Sequence, residues 1–145
     1  MYETYSRQAL PTKEYRALLG SAICVFNCNN AFIIENILRS DEDEKYSWYK
    51  LIDLESGKLH SFIKETIADA EISDLFTEIV YMRNRIIHGF QITDKKDNEQ
   101  RLATKTKAPE NKQFIITEEY LMEFIKLNEN SVIFFTITGD FKRKS

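Results

Sequence analysis

The stretch Tyr81-Met82-Arg83-Asn84-Arg85-Ile86-Ile87-His88-Gly89 gathers the side chains best suited to chemistry. On a helix stepping about 100° per residue, Phe76, Ile79, Val80, Ile86 and Ile87 fall within about 60° on either side of Arg83. Arg83 therefore sits inside an apolar stripe. A guanidinium there breaks the binary pattern, and an unpaired buried charge is costly enough that something must meet it. Asn84 and His88 are four apart and share a face, so an amide and an imidazole can address one ligand atom. Arg85 flanks that face and Tyr81 adds a hydroxyl. His88 stands in the last helical turn, where the negative end of the dipole favours the imidazolium, and it can exchange protons near neutrality. A histidine beside arginines suits metal-free cleavage of a ribose-phosphate chain. The imidazole assists attack of the 2′-hydroxyl or protonates the departing oxygen, while the guanidinium stabilises the pentacoordinate charge. The structural alternatives are an ion pair of Arg83 with Glu35 or Glu78, and a helix-end histidine resting on terminal carbonyls.

Arg83-Asn84-x-x-x-His88 resembles the R-polar-x-x-x-H signature of the HEPN superfamily (higher eukaryotes and prokaryotes nucleotide-binding domain), a group of helical bundles. The resemblance implies a metal-independent endoribonuclease, with Arg83, Asn84 and His88 as its catalytic residues, no cofactor, RNA as substrate, and a toxin or phage-defence setting. It also implies a homodimer, in which the motifs of two protomers meet across a two-fold seam. Other members of that superfamily are non-catalytic modules that bind a nucleotide or a partner such as a nucleotidyltransferase, and a toxin would bring an antitoxin partner. Helix geometry supports the dimer separately: Arg83 and His88 lie about 140° apart on one helix, too divergent to grip one phosphate easily in a monomer. Two copies in an isologous arrangement would place each Arg83 against the other protomer's His88.

Arg85 and Tyr81 lie outside the motif and enter as RNA-binding candidates through helix geometry alone. Lys105 and Lys107 join them. With Arg101 they alternate onto one strand face, and with Lys95, Lys96 and Lys112 nearby such a stripe would track a phosphate backbone.

The elements that must hold these residues read as helices. Thr12, after Pro11, is placed to cap a first helix over about 12 to 39, with Leu18, Leu19, Ala22, Ile23, Phe26, Ile33, Ile34 and Ile37 at helical spacing. The acidic run 41–44 is a solvated loop. Trp48, Leu51, Ile52, Leu59, Phe62, Ile63 and Ile67 predict a second helix broken near Glu55-Ser56-Gly57. Ser73 is placed to cap a third helix over about 74 to 88, which Gly89 ends. Residues 91–116 predict a small β-hairpin with its turn near Ala108-Pro109-Glu110-Asn111. Thr117 caps a last helix, with Glu118 and Glu119 in its first turn and Leu121, Phe124, Ile125, Val132 and Phe135 on its buried face, running to Gly139. The expected fold is all-α: one domain over 1–145, a four-to-five-helix bundle with a hairpin inserted before the last helix.

The 145 residues are 43% hydrophobic and 12% aromatic, enough for one core and too few for two. That excludes a disordered chain or a disulfide-dependent miniprotein. A formal charge of -3 excludes a protein that coats nucleic acid through bulk positive charge, so any polyanion must meet a local patch. Ala17 to Ile34 carries no charge, yet Asn27, Asn29 and Asn30 oppose a bilayer crossing, and a buried amphipathic helix is expected instead. Those amides and Glu35 are candidates to line a cleft. Cys24 and Cys28, one helical turn apart, are expected to be free, buried thiols in a cytoplasmic protein, and no metal is called for: the two histidines lack ligand spacing.

Overall fold

A computed structural model gives the fold and describes residues 2–66 and 70–142. Five helices and three strands follow in the order α1 (Lys13–Ser40), α2 (Trp48–Ile52), α3 (Ser56–Thr66), α4 (Ala70–Ile87), β1 (Phe90–Thr93), β2 (Gln100–Lys105), β3 (Gln113–Ile116) and α5 (Glu118–Lys142). Helix α1 packs along α5 and is flanked by α2 and α3, while α4 lies against α3, α5 and strand β2. The described part is a mostly helical bundle with a small sheet.

Local chemistry sets several boundaries as expected. The Thr12 hydroxyl accepts from the Tyr15 N–H at 3.2 Å, and the Thr117 hydroxyl accepts from the Tyr120 N–H at 3.1 Å. The second helix breaks between Ile52 and Ser56, slightly before the expected position, and gives α2 and α3. Ser73 caps nothing. Helix α4 already runs at Ala70, and the Ser73 side chain is fully buried in its interior. Propensity places serine at helix starts, but burial of this face carried the helix past it. The hairpin is a three-stranded antiparallel sheet in the order β1-β2-β3, because Phe90–Thr93 adds a strand straight after α4. Ile67 and the side chains of Val132 and Phe135 lie outside the described residues.

The core runs through all the layers: Tyr15, Phe26, Ile33 and Ile37 from α1, Leu51, Leu59 and Ile63 from α2 and α3, Phe76 and Ile79 from α4, Ile116 from β3, and Leu121 and Phe124 from α5. Phe26 and Phe124 stack with ring centroids 6.3 Å apart, joining α1 to α5 beneath the C-terminal end of α4. Tyr15 ties the sheet to the bundle, since its buried hydroxyl donates to the Ile116 carbonyl at 2.7 Å and accepts from the Leu102 N–H at 3.1 Å. By length and composition α1 would pass for a membrane-crossing helix. In the fold it is a core helix locked by polar groups. Asn29 Nδ2 donates to the Asn128 carbonyl, to Asn128 Oδ1 and to Ser131 Oγ within 2.8–3.1 Å, all on α5.

Candidate functional site

The motif residues occupy the last turn and a half of α4 and the first residue beyond it. The His88 N–H still bonds the Asn84 carbonyl at 3.0 Å, and the Gly89 N–H bonds the Ile86 carbonyl at 3.1 Å, after which the chain enters β1 directly. Gly89 is required for space rather than for a left-handed backbone. A Cβ there would meet the Ile86 carbonyl oxygen at 3.1 Å, Ile116 Cδ1 at 3.2 Å and the Ala103 carbonyl oxygen at 3.3 Å. The helix tip is thus pressed onto β2 and β3, and His88 is held at that junction.

Arg83 is half-buried, as its place in the apolar stripe requires. Its guanidinium carbon lies 5.4 Å from the centroid of Phe26, and Nη1 donates to Asn84 Oδ1 at 3.0 Å. Around it lies a recess of about 130 Å³ lined by Ile23, Phe26 and Asn27 of α1, Ile86 and Ile87 of α4, and Phe124 of α5. Among the described residues no carboxylate pairs with it; Glu35 and Glu78 are exposed and form no ion pair with it. A cation in such surroundings is little screened, so an arriving anion is attracted more strongly than at an open surface. Asn84 serves Arg83 directly, which leaves its amide oxygen engaged rather than shared with His88.

His88 is exposed at the tip. On the helix it points about 140° away from Arg83, and among the described residues no hydrogen bond joins the two side chains. Ile87 and Phe90, on either side of the His88-Gly89 turn, are also exposed, at 43% and 48%. Asn27 does line the recess. Asn29 and Asn30 are instead buried, and Glu35 is solvated. Cys24 and Cys28 are free as expected but exposed, because the uncharged run of α1 presents one flank outward rather than burying it on all sides.

The four RNA-binding candidates come together on the other flank of α4. Arg85 Nη1 donates to the Lys105 carbonyl at 2.6 Å, and its guanidinium carbon lies 5.5 Å from the Tyr81 ring centroid. Lys107 Nζ lies 5.4 Å from the same centroid, and Lys105 Nζ donates to Asn111 Oδ1. Tyr120 packs below, unsuspected from sequence. Its hydroxyl is buried without a hydrogen-bond partner among the described residues, as is Arg85 Nε, and burial, helped by nearby Tyr81, pushes that hydroxyl up to about 12.

Arg101 does not join this group. It donates to Asp94 Oδ2 at 3.0 Å, to Asp97 Oδ1 at 2.8 Å and to both oxygens of Glu118 at 3.0–3.2 Å, so three acids consume its charge. Strand alternation placed it correctly on one face but could not reveal the carboxylates opposite. The network makes a pH prediction. The Arg101 guanidinium holds the Asp97 and Glu118 carboxyls below the usual carboxylate range. Folded values below the unfolded ones near 4 mean that this stabilisation is complete above about pH 5 and lost as acid drives the pH through the folded values. Arg101→Gln should therefore lower the melting temperature at pH 7, with the gap to wild type closing below about pH 4. A gap that is constant with pH would show that the charge on Asp97 and Glu118 contributes nothing through this network.

No family model, curated protein or solved structure matches the chain. The site's own geometry has to carry any reading of function.

Proposed function

We propose that the chain is a metal-independent endoribonuclease of HEPN type, working as a homodimer on cytoplasmic RNA in a toxin or phage-defence system. The observation that carries this reading is Arg83: a guanidinium fixed by Asn84 Oδ1 over the Phe26 ring, in an apolar recess, with no carboxylate partner among the described residues. A half-buried cation without an ion-pair partner favours a bound anion, and a phosphodiester is one that its planar fork recognises well. His88 supplies the exchangeable proton. It accepts a proton from the 2′-hydroxyl as that oxygen attacks phosphorus, or delivers one to the 5′-oxygen as the P–O bond breaks.

The divergence of Arg83 and His88 supports the dimer. In an isologous pair each Arg83 faces the partner's His88, and one phosphate bridges them. Beside the recess, α1 exposes Gly20, Ser21, Cys24, Asn27 and Cys28, an uncharged strip of mostly small side chains that lets a second copy approach closely without a charge to desolvate.

The deciding experiment incubates purified protein with mixed RNA in EDTA. Wild type should cleave, and His88→Ala and Arg83→Ala should each lower the rate by about 10²–10⁴-fold. Equal cleavage by wild type and His88→Ala would expose a contaminant. No cleavage by wild type would sink the enzyme and favour a non-catalytic module that binds a nucleotide or a protein partner such as a nucleotidyltransferase.

A further inference from the structure

We propose that Tyr81, Arg85, Lys105 and Lys107 form a second phosphate subsite, which holds the RNA strand beside His88 of the same protomer. This rests on the ribonuclease reading for the identity of the strand, but its evidence is separate. The chain is acidic overall, with 23 Asp and Glu against 20 Lys and Arg. Some of its cations find acids: Arg16 pairs with Glu3, Lys45 with Asp43, and Arg101 with Asp94, Asp97 and Glu118. Among the described residues no carboxylate forms an ion pair with Arg85, Lys105 or Lys107. Instead the fold gathers them, with Arg85 and Lys107 over one tyrosine ring and Arg85 clasping the backbone of Lys105. Like charges so placed repel, and a bound anion relieves the repulsion.

The cluster is also prepared for an oxyanion. Arg85 is held by the Lys105 carbonyl and the Tyr81 face, so its side-chain freedom is already spent before any ligand arrives. Arg85 Nε and Tyr120 Oη are buried without partners among the described residues, so the polar demand of the cluster is not met within them. Because two cations already lie over the Tyr81 ring, the cluster offers charge rather than a stacking face. It should grip the backbone and ignore the base.

Position gives the cluster its role. On the helical wheel Tyr81 and Arg85 lie within about 60° of His88, and Tyr81 is about 10 Å from it along the axis. Arg83 points to the opposite flank. A strand lying along this side therefore runs from the cluster to His88 of one protomer, while the arginine at the scissile phosphate comes from the other. Strand β2 and the residues just after it carry Lys105 and Lys107 to α4.

The test measures binding of a short, fully 2′-O-methylated single-stranded RNA, which cannot be cleaved, by fluorescence anisotropy across a KCl series. Both lysines are exposed, so the double variant Lys105→Gln/Lys107→Gln should fold. It should bind at least about tenfold more weakly, with the salt slope reduced by about 1.4, at about 0.7 for each lost single-strand contact. On cleavable RNA it should raise KM and leave kcat unchanged. His88→Ala should bind as wild type does while losing cleavage. Unchanged affinity and slope in the double variant would overturn the subsite, as would a fall in kcat at constant KM. Lysine-dependent binding of inorganic pyrophosphate without binding of the RNA would overturn the strand assignment in favour of a free phosphate ligand. Lysine-dependent RNA binding by a wild type that cleaves nothing would leave the subsite standing and remove the ribonuclease.

Discussion

Mixing Arg83→Ala protein with His88→Ala protein, each inactive alone, is expected to restore about a quarter of the wild-type cleavage rate. Random re-pairing makes about half of the dimers mixed. In each mixed dimer one of the two composite sites joins an intact Arg83 from one chain to an intact His88 from the other, and the second site has lost both. The effect is large because the baseline is near zero, and its size is fixed by counting rather than by the strength of any contact. Activity that stays at baseline after co-refolding or co-expression would mean that Arg83 and His88 act within one chain or not together at all. The geometry is what makes the outcome informative: the two side chains point about 140° apart on the same helix, and Arg83 already spends one donor on its neighbour Asn84.

That arrangement was partly legible in the sequence. The wheel alone placed Arg83 among apolar neighbours, and Thr12 and Thr117 announced their helices, because a cap acts on residues two or three positions away. What the sequence could not supply were meetings made by the fold. Arg83 rests on Phe26, which comes from another helix far along the chain, and Arg85 meets the Lys105 carbonyl only because β2 folds back along α4. Arg101 shows the limit most clearly. It shares β2 with Lys105, while Lys107 lies beyond the strand's end, and a strand pattern names a face without naming what covers it: here acids from the preceding turn and from the start of α5 do. Ser73 failed for the opposite reason: a strong local preference was overridden by burial of the helix that contains it. The first strand escaped notice because Phe-Gln-Ile-Thr is short and mostly exposed, and its pairing with β2 decides its conformation.

The same one-carbon change should have opposite effects at two glycines, and the contrast tests whether the α4 tip is as tightly seated as the structure shows. At Gly89 the added methyl meets two backbone carbonyls at 3.1 and 3.3 Å, neither of which can rotate away, and only Ile116 Cδ1 can yield. Overpacking of this kind costs about 1–3 kcal/mol. For a chain of this size that lowers the melting temperature by roughly 4 °C for each kcal/mol. At Gly57 in α3 the nearest atom is Val80 Cγ1 at 3.9 Å, an ordinary contact, so Gly57→Ala should instead gain up to about 1 kcal/mol through a less flexible unfolded chain. Function separates the two further. Gly89 follows His88 directly, and any relief of the clash moves the helix tip away from the sheet, carrying the imidazole with it. Even a small displacement of a catalytic group lowers the rate, so Gly89→Ala should lose cleavage beyond its loss of folded protein, while Gly57→Ala should keep it. Equal melting temperatures for the two variants would show that the tip of α4 has room to spare, and would take from His88 the fixed position on which its assigned chemistry depends.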